Sequence, residues 1–142
     1  MILYLDTSSL VKLYVAEAHS GLVRNWAEEA EIVATCRVAY PEMTSALNRR
    51  FRTGDLARKD YQLLAKKFAE EWEHFAAIDF DELAAGHLAG KHGLRGFDAI
   101  HLSAALLLIS SERTPDVVFS SFDQKLNDAA AAEKLTVRTM KQ

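Results

Sequence analysis

The chain of 142 residues has a single cysteine, Cys36, so no internal disulfide can form and no paired-thiol zinc or redox motif exists. A chain of this length buries roughly two-thirds of its unfolded surface, enough to hold a core without a covalent or metal staple. One unpaired thiol suits a reducing compartment, and a cytoplasmic location is expected. Only two prolines and six glycines occur. No low-complexity tract, tandem repeat or Pro/Gly-rich linker divides the sequence, so residues 1–142 are expected to form one domain. No apolar run approaches the ~20 residues of a membrane span. No basic segment precedes the apolar Ile2-Leu3-Tyr4-Leu5 run, so neither a secretory leader nor a membrane partner is expected. Excess charge is also missing, since 17 basic against 20 acidic residues leave a formal net charge of −3. That excludes coating of nucleic acid by bulk charge but leaves room for a local basic groove. No GxxxxGK[ST] or GxGxxG run is present, so nucleotide-cofactor binding has no warrant.

What is present is globular: 49% hydrophobic and 26% charged residues. The opening apolar run is short enough for a buried strand, and Asp6-Thr7-Ser8-Ser9 then supplies helix-capping residues before Leu10, Val11, Leu13 and Tyr14 at helical spacing. The unit recurs. Ile32-Val33-Ala34-Thr35 reads as a strand, and Pro41 suits the first turn of a helix carrying Met43, Ala46, Leu47 and Phe51 before Gly54 stops it. Tyr61, Leu64, Phe68, Trp72 and Phe75 mark one amphipathic helix whose aromatic stripe reads as core or hairpin packing. Ala76-Ala77-Ile78 predicts a brief strand, and Leu83 to Leu88 a short helix ending near Gly90 to Gly93. Residues 97–109 are apolar almost all round, which predicts a central helix covered on several sides. A strand at Val117-Val118-Phe119, a helix over 123–134 and a last strand over 135–139 complete the pattern, with Pro41 and Pro115 at junctions. Strands alternating with helices predict an α/β fold, a central mainly parallel sheet of about five short strands flanked by helices.

In such sheets chemistry sits beyond the carboxyl ends of the strands, at a topological switch point. Asp6 follows the first strand, Glu42 follows the second and opens a helix, Asp98 opens the most apolar helix, and Asp123 follows the Val117 strand. Each has a plainer reading as a helix cap or a favourable charge at a helix start. Together, four carboxylates at one sheet edge call for more. Two of them ~5 Å apart repel by about 3 kcal/mol at an effective dielectric of 20, and a divalent cation offsets that best. All-oxygen donors without an obligatory His or Cys select Mg²⁺ or Mn²⁺ over zinc. Such a site suits phosphodiester hydrolysis.

The segments LDTSSLVKLY, YPEMTSAL, GLRGFDAIHLSAAL and SSFDQKL, in this order and spacing, resemble PIN-domain ribonucleases, especially the VapC-type toxins of toxin–antitoxin pairs. The third block is the most specific, and the resemblance runs from Met1 almost to the last residue. It implies a PIN-like (Rossmann-like) fold and Mg²⁺- or Mn²⁺-dependent endonucleolytic cleavage of RNA by a metal-activated water. By position it makes Asp6, Glu42 and Asp98 the acidic core and Asp123 a fourth, more variable member. Asp6, Asp98 and Asp123 are then the metal ligands, with Glu42 a ligand or the orienter of the attacking water. Ser8 and Ser121 fall where small polar side chains lie near the metal, or serve as turn and cap residues. A homodimer and a cognate antitoxin that blocks the acidic pocket also follow from the resemblance.

Arg95, three residues before Asp98, is the best candidate for an RNA phosphate contact. Arg49 and Arg50 are further candidates, equally well read as helix-end charge. His101, one turn after Asp98, is either a hydrogen-bond partner of that carboxylate or a satisfied core histidine. His19, His74, His87 and His92 have no metal-ligand spacing with a partner. Two alternatives stand beside the nuclease reading. One is a catalytically inactive RNA-binding or regulatory PIN fold. The other is a phosphatase of the haloacid-dehalogenase type, whose chemistry needs a second Asp two residues after the first, where this chain has Ser8.

Overall fold

A computed structural model of the chain describes residues 1–109 and 116–140; Pro115 lies outside the described residues. Five strands form one sheet, with β1 Ile2–Leu5, β2 Ile32–Cys36, β3 Ala76–Ile78, β4 Val117–Ser120 and β5 Thr136–Arg138. Their order is β3-β2-β1-β4-β5, and every pairing is parallel. The predicted α/β architecture of about five short strands between helices is the one observed. β1 takes the centre because it can be buried on both faces. Ile2 and Tyr4 enter one core while Leu3 and Leu5 enter the other, following the two-residue period of a strand. The register sets Ile2 opposite both Ile32 and Val117, and Leu5 opposite Ser120.

Seven helices cover the two faces: α1 Thr7–Leu10, α2 Ser20–Glu29, α3 Ala39–Arg52, α4 Arg58–Glu71, α5 Glu82–His92, α6 Gly96–Ile109 and α7 Gln124–Ala132. On one face Leu10, Val23, Trp26, Met43, Leu47 and Phe68 pack against Leu3, Leu5 and Val118. On the other, Leu88, Leu102, Ala105, Leu126 and Ala130 pack against Ile2, Tyr4 and Phe119. Full burial of each large apolar side chain contributes about 1.5–3 kcal/mol. The aromatic stripe is core packing, since Phe68 touches Tyr14, Tyr40 and Trp72. It is not one helix, however: α4 stops at Glu71 and a 3₁₀ turn, Trp72–His74, tightens the chain before β3.

Pro41 lies in the first turn of its helix, as expected, whereas the expectation for the apolar helix shifts. α3 begins at Ala39, so Pro41 is its third residue, where the missing N–H costs no intrahelical bond. α6 is central in its layer, between α5 and α7 and against β2 and β4. Its buried residues run from Ala99 to Ala105, but Phe97, Leu107 and Ile109 are exposed. One side of the helix therefore faces outward despite its apolar composition. Gly93 ends α5 in the left-handed region at φ 65, the conformation that a glycine at this capping position adopts without strain.

Candidate active site

β1 has β2 on one side and β4 on the other, so the strand order reverses at its carboxyl end. A crevice opens there, as parallel sheets dictate. It holds about 670 Å³ and is lined by Asp6, Glu42, Asp98, Asp123, Arg49 and Arg95, among others. The four carboxylates singled out in the sequence thus share one cleft, although 117 positions separate the first from the last.

Asp6 leaves β1 and caps α1, its Oδ1 accepting from the Ser9 amide at 3.0 Å and from the Ser8 hydroxyl at 2.7 Å. Ser8 Oγ accepts from the Phe122 amide at 3.0 Å, tying the loop after β1 to the loop after β4. Asp6 is 4% exposed. Burial pushes its carboxyl above the ordinary aspartate range, although His101, Ser121, Ser8 and the Ser9 amide all favour the charged form. The Ser121 Oγ accepts from the Asp123 amide at 3.0 Å. Asp123 caps α7 through the Leu126 amide. The cap readings of Asp6 and Asp123 are accordingly correct without removing either carboxylate from the cleft.

Asp98, in the first turn of α6, receives Arg95 Nε at 3.0 Å, and Arg95 Nη2 reaches Asp123 Oδ2 at 3.5 Å. The hydrogen bond to Asp98 and the charges of Asp98 and Asp123 hold the Arg95 guanidinium above its usual pKa. Its side chain is 80% exposed, so water screens the pair. Arg95 thus offsets acidic charge that the sequence alone assigned to a cation. Arg49 lines the cleft, whereas Arg50 is outside its lining and pairs with Glu17. Lys12 Nζ is 2.8 Å from the same carboxylate. Burial alone would raise Glu17; hydrogen bonds from Lys12 and Arg50 hold it below the usual range.

His101 takes the second of its two expected roles, a buried and satisfied core histidine, and not the first, a partner of Asp98. Its partners are Glu42, Tyr4 and Thr7, and no hydrogen bond joins it to Asp98 among the described residues. One turn of helix separates the two, but the imidazole turns inward to pack edge-on against the Tyr4 ring, with centroids 5.9 Å apart, while Asp98 turns outward to Arg95. Thr7 and Tyr4 escaped the sequence reading. Thr7 Oγ1 donates to Glu42 Oε1 at 2.7 Å. The available signal was strand alternation, which puts the Tyr4 hydroxyl on the face that α6 covers.

The donor chemistry fits a hard divalent ion: carboxylate and hydroxyl oxygens, no thiolate, and a histidine already committed to neighbours. Among the described residues no three His, Cys, Asp or Glu side chains converge closely enough to cage an ion unaided. Each carboxylate is instead engaged by its own partners. The fit is therefore to an ion such as Mg²⁺ that keeps several waters and takes one or two carboxylates.

The PIN domain family model matches residues 3–132. The chain belongs to the PIN domain family. Two Mycobacterium tuberculosis proteins, Ribonuclease VapC45 and Ribonuclease VapC49, are each 31% identical to this PIN domain over 134 residues, covering 92% of this chain and 90% of theirs. Among solved structures, PAE2754 from Pyrobaculum aerophilum matches with a TM-score of 0.70 at 17% identity, over 96% of this chain and 83% of that one. VapBC-1 from nontypeable Haemophilus influenzae matches with a TM-score of 0.65 at 15% identity, over 100% of both chains. FitAcB from Neisseria gonorrhoeae gives 0.65 at 17% identity over 98% of this chain and 97% of that one. These likenesses carry the PIN fold. No helix of the described residues is long and apolar enough to cross a membrane.

Proposed function

We propose that this PIN domain is an endoribonuclease that uses Mg²⁺ or Mn²⁺, and that it is the toxin of a type II toxin–antitoxin pair. The observation that carries the reading is the meeting of Asp6, Glu42, Asp98 and Asp123 in one cleft at the switch point of the sheet. The relatives named ribonucleases support the RNA substrate. The VapBC-1 and FitAcB structures support a cognate antitoxin as partner. A cytoplasmic homodimer formed by one domain per chain completes the proposal.

Asp6, Asp98 and Asp123 would hold the ion, one or two of them directly and the rest through its waters, with Ser8 bound to Asp6 and Ser121 to the backbone of Asp123. A bound divalent ion supplies polarisation of the phosphoryl oxygen and a more acidic water. Glu42 orients the attacking water and takes its proton. As that oxygen bonds to phosphorus, the bond to the 3′ oxygen breaks, and solvent returns a proton to the leaving group. The ends produced are a 5′-phosphate and a 3′-hydroxyl. Arg95 and Arg49 bind phosphates flanking the cut, and exposed Phe97, in the lining of the cleft, offers a face for a base.

Metal stabilisation of developing charge is worth several kcal/mol, so losing a ligand should slow cleavage by at least about 100-fold. Purified protein is incubated with total RNA and Mg²⁺ or Mn²⁺, beside Asp98→Asn and an EDTA control. Cleavage by the wild type alone supports the reading. Equal cleavage by the folded variant assigns the activity elsewhere, and RNA binding without cleavage favours the inactive PIN fold.

A further inference from the structure

Behind Glu42 lies a polar cluster that the nuclease reading does not use. Tyr4 on β1, Thr7 at the start of α1 and His101 on α6 come from segments up to 97 positions apart. Tyr4 is fully buried and His101 is 2% exposed. Tyr4 Oη lies 2.7 Å from His101 Nδ1, and His101 Nε2 lies 2.8 Å from Glu42 Oε1. Thr7 Oγ1 donates to the same Oε1 at 2.7 Å and sits 3.1 Å from Nε2. Glu42 Oε2 accepts nothing among the described residues, and Glu42 lines the cleft.

The proton positions follow from these partners. A carboxylate only accepts, so the nitrogen beside it must carry hydrogen. Nε2 is then N–H, and in a neutral imidazole Nδ1 becomes the acceptor. Tyr4 suits that role from the far end. Its hydroxyl, 2.7 Å from Nδ1, is the donor that this nitrogen then requires. A Leu and a Phe would fill the same volume without burying three polar groups.

We propose that Tyr4, His101 and Thr7 are positioning residues that occupy Oε1 of Glu42 and hold Oε2 toward the cleft, where it orients the attacking water. Tyr4 fixes the tautomer of His101, and His101 with Thr7 fixes the carboxylate. This rests on the nuclease reading above, which assigns the water to Glu42 but gives no reason why that carboxylate should be held still.

Two measurements test it. Imidazole ¹⁵N NMR of the labelled, metal-free protein should show His101 as the Nε2–H tautomer, and Tyr4→Phe should loosen that preference while the ring keeps its stacking on Phe119, 5.6 Å away. In single-turnover and steady-state cleavage of an RNA oligonucleotide, Tyr4→Phe and His101→Ala should lower kcat by about 10- to 100-fold with KM held. His101→Gln, which retains an N–H donor, should recover part of the loss. In a Glu42→Gln background, His101→Ala should cost little more, because the group it positions is already disabled. An Nδ1–H tautomer, or an equal fall in kcat with and without Glu42, overturns the role. A wild-type protein that cleaves no RNA overturns the nuclease reading itself; one that cleaves with an additive cycle overturns this inference alone.

Discussion

Replacing Asp6 by Asn should raise the melting temperature of the metal-free protein at pH 7, and the gain should shrink as the pH falls. The carboxyl is 4% exposed, and burial lifts its pKa despite four groups that favour the charged form. The folded protein therefore binds this proton more tightly than the unfolded chain. The stability that comes with the bound proton is fully present below the unfolded pKa, near 3.8, and is lost as pH rises through the raised folded value. Asn ranks with Asp as a helix cap, so the bond to the Ser9 amide survives while the desolvated charge is gone. Each unit by which folding raises the carboxyl costs about 1.4 kcal/mol at neutral pH. For 142 residues the unfolding entropy at the midpoint is about 0.3 kcal/mol per kelvin, so each unit appears as about 4–5 °C. Calorimetric scans of both proteins in EDTA, from about pH 4 to pH 8, span the titration. Titrating Mg²⁺ should then narrow the gap, since an ion held only by the intact site stabilises only the wild type. A difference that is flat with pH, or a variant less stable at pH 7, would refute the reasoning.

Glu17 should behave with the opposite sign. Its carboxyl is held low by Lys12 and Arg50, so its contribution is present above the unfolded pKa and lost as pH falls through the depressed one. Glu17→Gln should cost about 1 kcal/mol at pH 7, between the values for exposed and buried pairs, and melting curves of variant and wild type should merge in acid. Arg95→Ala should weaken RNA binding by a similar factor for every sequence and reduce the slope of log affinity against log salt by about 1. Fluorescence anisotropy across a salt series reads both, and an unchanged slope would deny Arg95 a phosphate contact.

Four strands were legible because each is a compact, mainly apolar run too short for a helix, and the first alternates between two cores; the last, Thr136–Arg138, was legible from its place after a helix. Residues that follow strands were legible for the same reason, which is why Asp6 and Asp123 could be singled out before their caps were seen. The break between α4 and the turn at Trp72–His74 was hidden because side-chain spacing runs straight through it. The surroundings of His101 were hidden too. Helical spacing relates it to Asp98, but its real partners belong to β1, α1 and α3, and only tertiary packing chooses among them. Arg95 shows a related shortfall. Sequence marked it for phosphate, whereas its place between Asp98 and Asp123 depends on α6 and α7 meeting at the cleft.

The outermost strands, β3 and β5, are three residues long apiece. A foreign strand seeking to extend the sheet would find at most three rungs on either side, too few to form a lasting ladder, and short borders of this kind guard against fibrillar stacking. Association with another chain is therefore expected to use side chains on the helical layers. Point substitutions on those helices, rather than backbone blocking at the sheet margins, are the means to make the molecule change company.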